Sequence, residues 1–274
     1  MTTLSAKALR RWLPRRSPIA HKGTNGHVLL VAGSAGMTGA AVLTAWGALR
    51  AGAGLATVAA DGEVRRVVHE TLPEAMAVPR TEMSAYLRRR RITTLAIGPG
   101  LGVGRAQKAL ILRLLKRRLP TVLDADGLNN LTLKELPRMA TLIITPHEGE
   151  LAHLRGESRE RIHARRETVA RDTARRFGGV CVLKGHHTLI ATPATVYKNP
   201  TGNAAMATGG MGDVLTGVIA GLLAQGLSPV EAAAAGVYLH GAAGDAVARA
   251  DRGLLAHEVA DAIPLALSRV QRAS

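Results

Sequence analysis

The sequence predicts a three-layer α/β/α fold around a mostly parallel sheet. Three observations carry this. Short apolar runs of strand length recur at 27–32, 55–59, 94–97, 121–123, 141–145 and 180–184. Helix-like stretches alternate with them, which implies a parallel sheet covered on both faces. The unusual loops, rich in glycine or charge, each follow a strand. In such sheets ligands lie at the carboxyl ends of the strands, so these loops converge on one edge.

In order, residues 1 to about 22 read as a polar lead-in with room for one short helix. HVLLVA at 27–32 is a buried strand running into Gly33-Ser34-Ala35-Gly36. The Ala-rich stretch 37–50 is helical and stops at Gly52 and Gly54. Strands at 55–59 and 94–97 follow, the latter running into Gly98-Pro99-Gly100-Leu101-Gly102. A helix at 106–118 leads to a strand at 121–123 and then Asp124-Ala125-Asp126-Gly127. The strand 141–145 runs into Pro146-His147-Glu148-Gly149-Glu150. One long charged helix is expected at 159–177, ended by Gly178-Gly179. A strand at 180–184 and short hairpin strands to Lys198 come next. Helices at about 213–225, 229–250 and 255–270 finish the chain. No repeat or linker interrupts it, so residues 1–274 are expected to form one domain.

Composition narrows the function. Lys and Arg number 36 against 20 Asp and Glu, a net charge of +16. That excess invites a polyanion-binding reading. Two Trp, three Tyr and one Phe give few platforms for base stacking, which argues against nucleic acid. The Arg runs at 88–91, 116–118 and 155–176 read instead as solvated helix faces. One cysteine, Cys181, excludes an internal disulfide and a Cys-based zinc site. The N-terminus has no apolar signal core and no stretch is long and apolar enough to span a membrane. A soluble, cytoplasmic protein is expected, with no membrane partner.

Several motifs are missing. No Gly-Lys dipeptide exists, so there is no Walker A loop. The glycines at 98–104 do not satisfy G-x-G-x-x-G, and Ser34 is not a nucleophile elbow. His147 and His153 fall on different helix faces, about 240° apart. The strongest stretch is Asn199–Gly217, with Gly209-Gly210-Met211-Gly212-Asp213 opening an apolar helix. Exposed N–H groups at a helix start bind anions. Asp213 there is a general base or a helix cap. Lys184-Gly185-His186-His187-Thr188 follows a strand, so the Lys can reach a phosphate and Thr188 can offer a hydroxyl; a plain hairpin is the alternative. His147 and its two carboxylates either serve a ligand or cap a helix. Asp124 and Asp126 either hold a hydrated Mg²⁺ or close a turn.

These residues resemble a known family. The G-x-G-D helix opening resembles the ribokinase-like superfamily. The fuller set resembles the ADP- or ATP-dependent NAD(P)H-hydrate dehydratases. The matching stretches are KGTNGHVLLVAGSAGMTGA (22–40), ALRAGAGLATV (48–58), AIGPGLG (96–102), VLDADGLN (122–129), TPHEGE (145–150), VLKGHHT (182–188) and NPTGNAAMATGGMGDVLTGVIAGLLAQG (199–226). Together they span roughly 20–270. Met211 stands where many superfamily kinases carry a small or hydroxylated residue, and Ala204-Ala205 where relatives often have Pro or Gly.

The resemblance implies a lyase that repairs the (S)-form of hydrated NADH and NADPH (NADHX and NADPHX). ADP or ATP would be the phosphoryl donor, with Mg²⁺ as cofactor and AMP or ADP plus phosphate released. It implies Asp213 as general base and an anion hole of Gly210, Met211 and Gly212. Lys184, Gly185, His186, His187, Thr188 and Gly212 would hold the nucleotide. Ala40, Gly102, His147 and Asp213 would line the dinucleotide substrate, with Ala41 an equal choice for Ala40. No residue is assigned to Mg²⁺. A homotetramer is implied, for which the Ala-rich stretch 231–248 is a second, weaker indication. The chain is too short to include the epimerase domain fused in some organisms, so a separate epimerase is expected in the same pathway. The competing readings are a ribokinase-like kinase for a small alcohol and the polyanion-binding protein.

Overall fold

The computed structural model describes residues 1–13 and 15–273. In chain order, β1 (Thr2–Thr3) and α1 (Ala6–Arg10) precede β2 (His27–Val31), α2 (Thr38–Arg50), β3 (Leu55–Ala60), α3 (Gly62–Thr71), β4 (Met76–Pro79) and α4 (Met83–Arg89). Then come β5 (Thr94–Ile97), α5 (Arg105–Leu115), β6 (Thr121–Leu123), α6 (Asp126–Asn129), β7 (Leu142–Ile144), α7 (Glu148–Arg155), α8 (Arg159–Ala164) and α9 (Arg166–Phe177). The last third holds β8 (Val180–Leu183), β9 (Leu189–Ala191), β10 (Val196–Lys198), α10 (Met211–Ala224), α11 (Pro229–Val247) and α12 (Ala256–Arg272).

All ten of these strands join one sheet in the order β1-β10-β9-β8-β7-β6-β5-β2-β3-β4. From β4 through β8 every pairing is parallel. Strands β8, β9 and β10 form an antiparallel extension, and β1 pairs parallel to β10. The apolar runs are unbroken because successive side chains enter opposite buried layers. In β2, Val28 and Leu30 pack with α1, α2, α3, α10, α11 and α12. Leu29 and Val31 pack on the other face with α4 through α9. Helices α2 and α10 approach closely at small residues: a Cβ at Gly217 would overlap the Thr44 carbonyl. That contact sets the start of α10 over the carboxyl edge of the sheet.

Three sequence expectations change. The lead-in is not merely polar: Leu4, Leu9 and Leu13 are buried, and β1 edges the sheet. Two residues of strand are too few to show a period. The charged helix at 159–177 is two helices, parted at Arg165, whose backbone leaves the helical region without a glycine or proline. Between 60 and 93 the sequence reading placed only an Arg run, yet α3, β4 and α4 occupy it. Helix α3 is held by Val64 and Val68, one turn apart, among charges, and β4 is a half-buried edge strand ending at Pro79. Among the described residues no helix is long and apolar enough to cross a membrane.

Candidate active site

The start of α10 stands beside the carboxyl ends of β6 and β8, near Asp124 and Lys184. Its cap position is Gly210, in the left-handed region at φ 85°, and no side chain caps it. A side chain at 210 would be strained there and would also strike Leu43. The first-turn N–H groups of Met211 and Gly212 are thus left for an anion. Asp213 sits in that first turn, three residues after the cap. The capping alternative for Asp213 is therefore corrected: glycine holds that position.

Asp213 is half-buried. Burial pushes its carboxyl up to about 7, and the Asp124 carboxylate adds to this, while Lys184 opposes it. A carboxylate tuned to neutrality suits proton acceptance at physiological pH.

Lys184 leaves β8 and turns inward. Its Nζ donates to Asp124 Oδ1 at 2.7 Å and lies 3.5 Å from Glu150 Oε2. A Cβ at Gly212 would lie 3.5 Å from Lys184 Nζ and 3.8 Å from Asp124 Oδ2, so the ammonium stands beside the helix opening. Burial works against its charge, but Asp124 and Glu150 outweigh it and hold the ammonium above its usual range. Asp124 is buried, 1% exposed, and its other oxygen accepts from Thr216 at 2.7 Å. Thr216 lies one turn after Asp213 on α10, on the same helix face.

The rest of the 184–188 motif parts company with its lysine. Gly185, His186 and His187 are exposed, and Thr188 donates its hydroxyl to the Gly185 carbonyl at 3.0 Å. The two imidazole rings stand 3.9 Å apart. The loop faces outward while Lys184 serves the interior.

His147 caps α7. Its Nδ1 accepts from Glu150 N at 3.1 Å, and Glu150 Oε2 accepts from His147 N at 2.7 Å. The capping alternative holds for this histidine, whose ring remains mostly exposed. Burial raises the Glu150 carboxyl, Lys184 draws it back, and Asp124 raises it again. Gly102 has its N–H bonded to Asp126 Oδ2 at 2.8 Å and its carbonyl to Asn130 at 3.0 Å. It therefore offers a ligand shape rather than a hydrogen bond. Ala40 and Ala41 are separated by position: Ala40 abuts Gly100 of the glycine loop, while Ala41 faces Gly33 and is fully buried. Asp124 and Asp126 close and pin loops, and among the described residues no group of three or more His, Cys, Asp or Glu is placed to hold a metal.

Sequence reasoning missed Thr216 and Asn130 and left Glu150 without a role of its own. The spacing of Thr216 from Asp213 was the available signal. Asn130 had none, because its bonds run to a loop 26 and 28 residues away.

The uncapped opening of α10 and its aspartate stand at the carboxyl edge of a ribokinase-like α/β fold. Ribokinase of Arabidopsis thaliana shares the fold alone, with a TM-score of 0.58 at 11% identity, covering 91% of this chain and 99% of that one. The NAD(P)H-hydrate dehydratase family model matches residues 28–265. The chain belongs to that family. It is 40% identical to the ADP-dependent (S)-NAD(P)H-hydrate dehydratase of Neisseria meningitidis, over 94% of this chain and 90% of that protein. It is 44% identical to the bifunctional NAD(P)H-hydrate repair enzyme of Moorella thermoacetica, over 98% of this chain but 54% of that protein. The chain thus spans about half the length of the bifunctional relatives. The crystal structure of the ADP/ATP-dependent NAD(P)H-hydrate dehydratase of Bacillus subtilis, co-crystallised with ATP and Mg²⁺, superposes with a TM-score of 0.88 at 34% identity, covering 98% of both chains.

Proposed function

We propose that this chain dehydrates the (S)-forms of NADHX and NADPHX to NADH and NADPH, with ADP or ATP as phosphoryl donor. The observation that carries the reading is Asp213: a carboxylate tuned to about 7, in the first turn of a helix whose donors are uncapped, beside the Lys184 ammonium.

In this reading Asp213 accepts the proton of the C6 hydroxyl as that oxygen attacks the terminal phosphorus of the nucleotide, breaking its bond to the bridging oxygen and expelling AMP or ADP. The N–H groups at Gly210, Met211 and Gly212 meet the charge on the transferring phosphoryl group, and Lys184 neutralises more of it. Phosphate then leaves C6, driven by the neighbouring ring nitrogen, and loss of the C5 proton restores the dihydropyridine. Ala40, Gly102 and His147 border the dinucleotide, and Gly185 to Thr188 lie against the nucleotide.

The donor set fits Mg²⁺ that arrives on the nucleotide, since Asp124 already serves Lys184 and Thr216. Asp126, whose Oδ1 takes a long 3.4 Å bond from Asn129, would be the carboxylate to hold one of the ion's waters. The ion would supply charge neutralisation at the phosphates.

The assay is recovery of reduced-nicotinamide absorbance from each hydrate with each nucleotide. A small-alcohol kinase would accumulate a phosphoester instead, and a polyanion binder would show salt-sensitive binding without turnover. Cytoplasmic location, an epimerase supplying the (S)-form, and a homotetramer complete the proposal. For the tetramer, the alanine run of α11 drops out as a contact surface, because Ala232–Ala235 are buried within the chain itself. Sedimentation that shows only monomer at micromolar concentration would remove the tetramer.

A further inference from the structure

Arg166 opens α9 and takes no part in the chemistry above, yet its guanidinium lies under the 184–188 loop. Nη1 donates to the His186 carbonyl at 3.2 Å, and Nη2 donates to the carbonyls of Leu183 at 3.3 Å and Lys184 at 3.4 Å. Gly185 crosses directly over it at φ 140°: a Cβ there would stand 3.0 Å from Nη1. The same Nη1 lies 3.4 Å from Glu148 Oε1, at the start of α7 next to His147. Both side chains are largely withdrawn from water, at 19% and 13% exposure. A backbone bond from Lys184 N to the Pro146 carbonyl, 2.9 Å, ties the same two loops.

We infer that Arg166 is a positioning residue for the nucleotide: clasped by Glu148, it holds the 184–188 loop in its ligand-ready shape. This rests on the proposed nucleotide role of that loop. The physical reason is preorganisation. A loop with three exposed residues, one of them glycine, loses entropy on binding unless something already orders it. A planar guanidinium can span three carbonyls and a carboxylate at once, which an ammonium cannot.

The clasp makes a prediction of opposite sign to simple electrostatics. Glu148 is a carboxylate near a site for an anion, so removing it should tighten ADP binding if it acts only through its charge. If it anchors Arg166, removing it should weaken binding. The experiment is calorimetric titration of the full chain with Mg²⁺-ADP, for wild type, Arg166→Lys, Glu148→Ala and the double variant, with thermal melts alongside. We expect about tenfold weaker ADP binding for Arg166→Lys and about threefold for Glu148→Ala. The double variant should be no weaker than Arg166→Lys, because both changes break one unit. Tighter binding by Glu148→Ala, additive losses, or unchanged affinity in Arg166→Lys would overturn the clasp while leaving the nucleotide site standing. A folded wild-type protein that does not bind ADP would overturn the nucleotide reading and this inference with it. Glu148→Ala decides by sign alone if Arg166→Lys does not fold.

Discussion

Two helices start at the same edge of the sheet with an acidic residue three places after the cap, and they differ in what that acid does. In α7 the cap is His147 and the acid is Glu150, and each bonds the other's backbone N–H. In α10 the cap is Gly210 and the acid is Asp213, and no side chain closes the turn. Glycine has no acceptor to offer, and aspartate is one carbon shorter than glutamate. In α7 the N–H groups of His147 and Glu150 are thereby taken up within the chain, whereas no side chain accepts from the opening of α10. The proposed anion site rests on that missing side-chain cap, and glycine in the cap position costs the helix only roughly a few tenths of a kcal/mol.

The comparison breaks most visibly at Asp213. Asp213→Asn keeps the shape and removes the proton acceptor, so turnover should fall by about two to four orders of magnitude with the fold intact. Hydrate and nucleotide affinities should change far less, because the lost interaction belongs to the transition state. A folded Asp213→Asn enzyme with near-normal turnover would put Asp213 in the structural class of Glu150.

The same residue makes stability depend on pH in a stated direction. Its folded pKa, about 7, lies above the ordinary 3.8. A raised pKa gives a contribution that is complete below the ordinary value and is lost as pH rises through about 7. Asp213→Asn removes that loss, so its melting temperature relative to wild type should be higher at pH 8 than at pH 5, by the equivalent of about 2–4 kcal/mol. Turnover of the unmodified protein should climb through the same region as the base ionises.

Lys184→Ala comes next. It removes the ammonium beside the α10 opening, and nucleotide binding should weaken by roughly 1.5–3 kcal/mol. It also strands the buried Asp124 carboxylate, so melting temperature should fall as well. Calorimetric titration on a folded sample separates the two, and unchanged nucleotide affinity there would move the site elsewhere. The smallest effect belongs to the capped helix: His147→Ala should cost about 1 kcal/mol of stability, read from denaturant unfolding. A far larger loss of hydrate affinity than of stability would show that the exposed ring edge of His147 also serves the substrate.

Much of this was legible without coordinates. The alternation of apolar runs and helical stretches specified the parallel layers, because period and length are local properties. The glycine-rich opening of α10 was legible as a candidate anion site for the same reason. His147 and Asp213 show where legibility stopped: His147 had a capping and a ligand-binding reading, Asp213 a capping and a catalytic one, and the sequence kept both pairs open. The deciding fact is whether the cap position holds an acceptor within reach, which depends on where the turn begins.

The sequence by itself determined the parallel core of the sheet, the edge on which its loops gather, and the residue types available there, but not the edge strands β1 and β4. Only the tertiary structure decided their partners. Lys184 reads as part of one motif with Gly185 to Thr188, yet it turns inward to Asp124, 60 residues away in the chain. Asp124 bonds Thr216 across 92 residues, and Arg166 reaches forward under the loop and back to Glu148. Local pattern encodes backbone conformation. Charge pairing and the pKa of Asp213 depend on which strands become neighbours, and that is set by packing of the whole sheet.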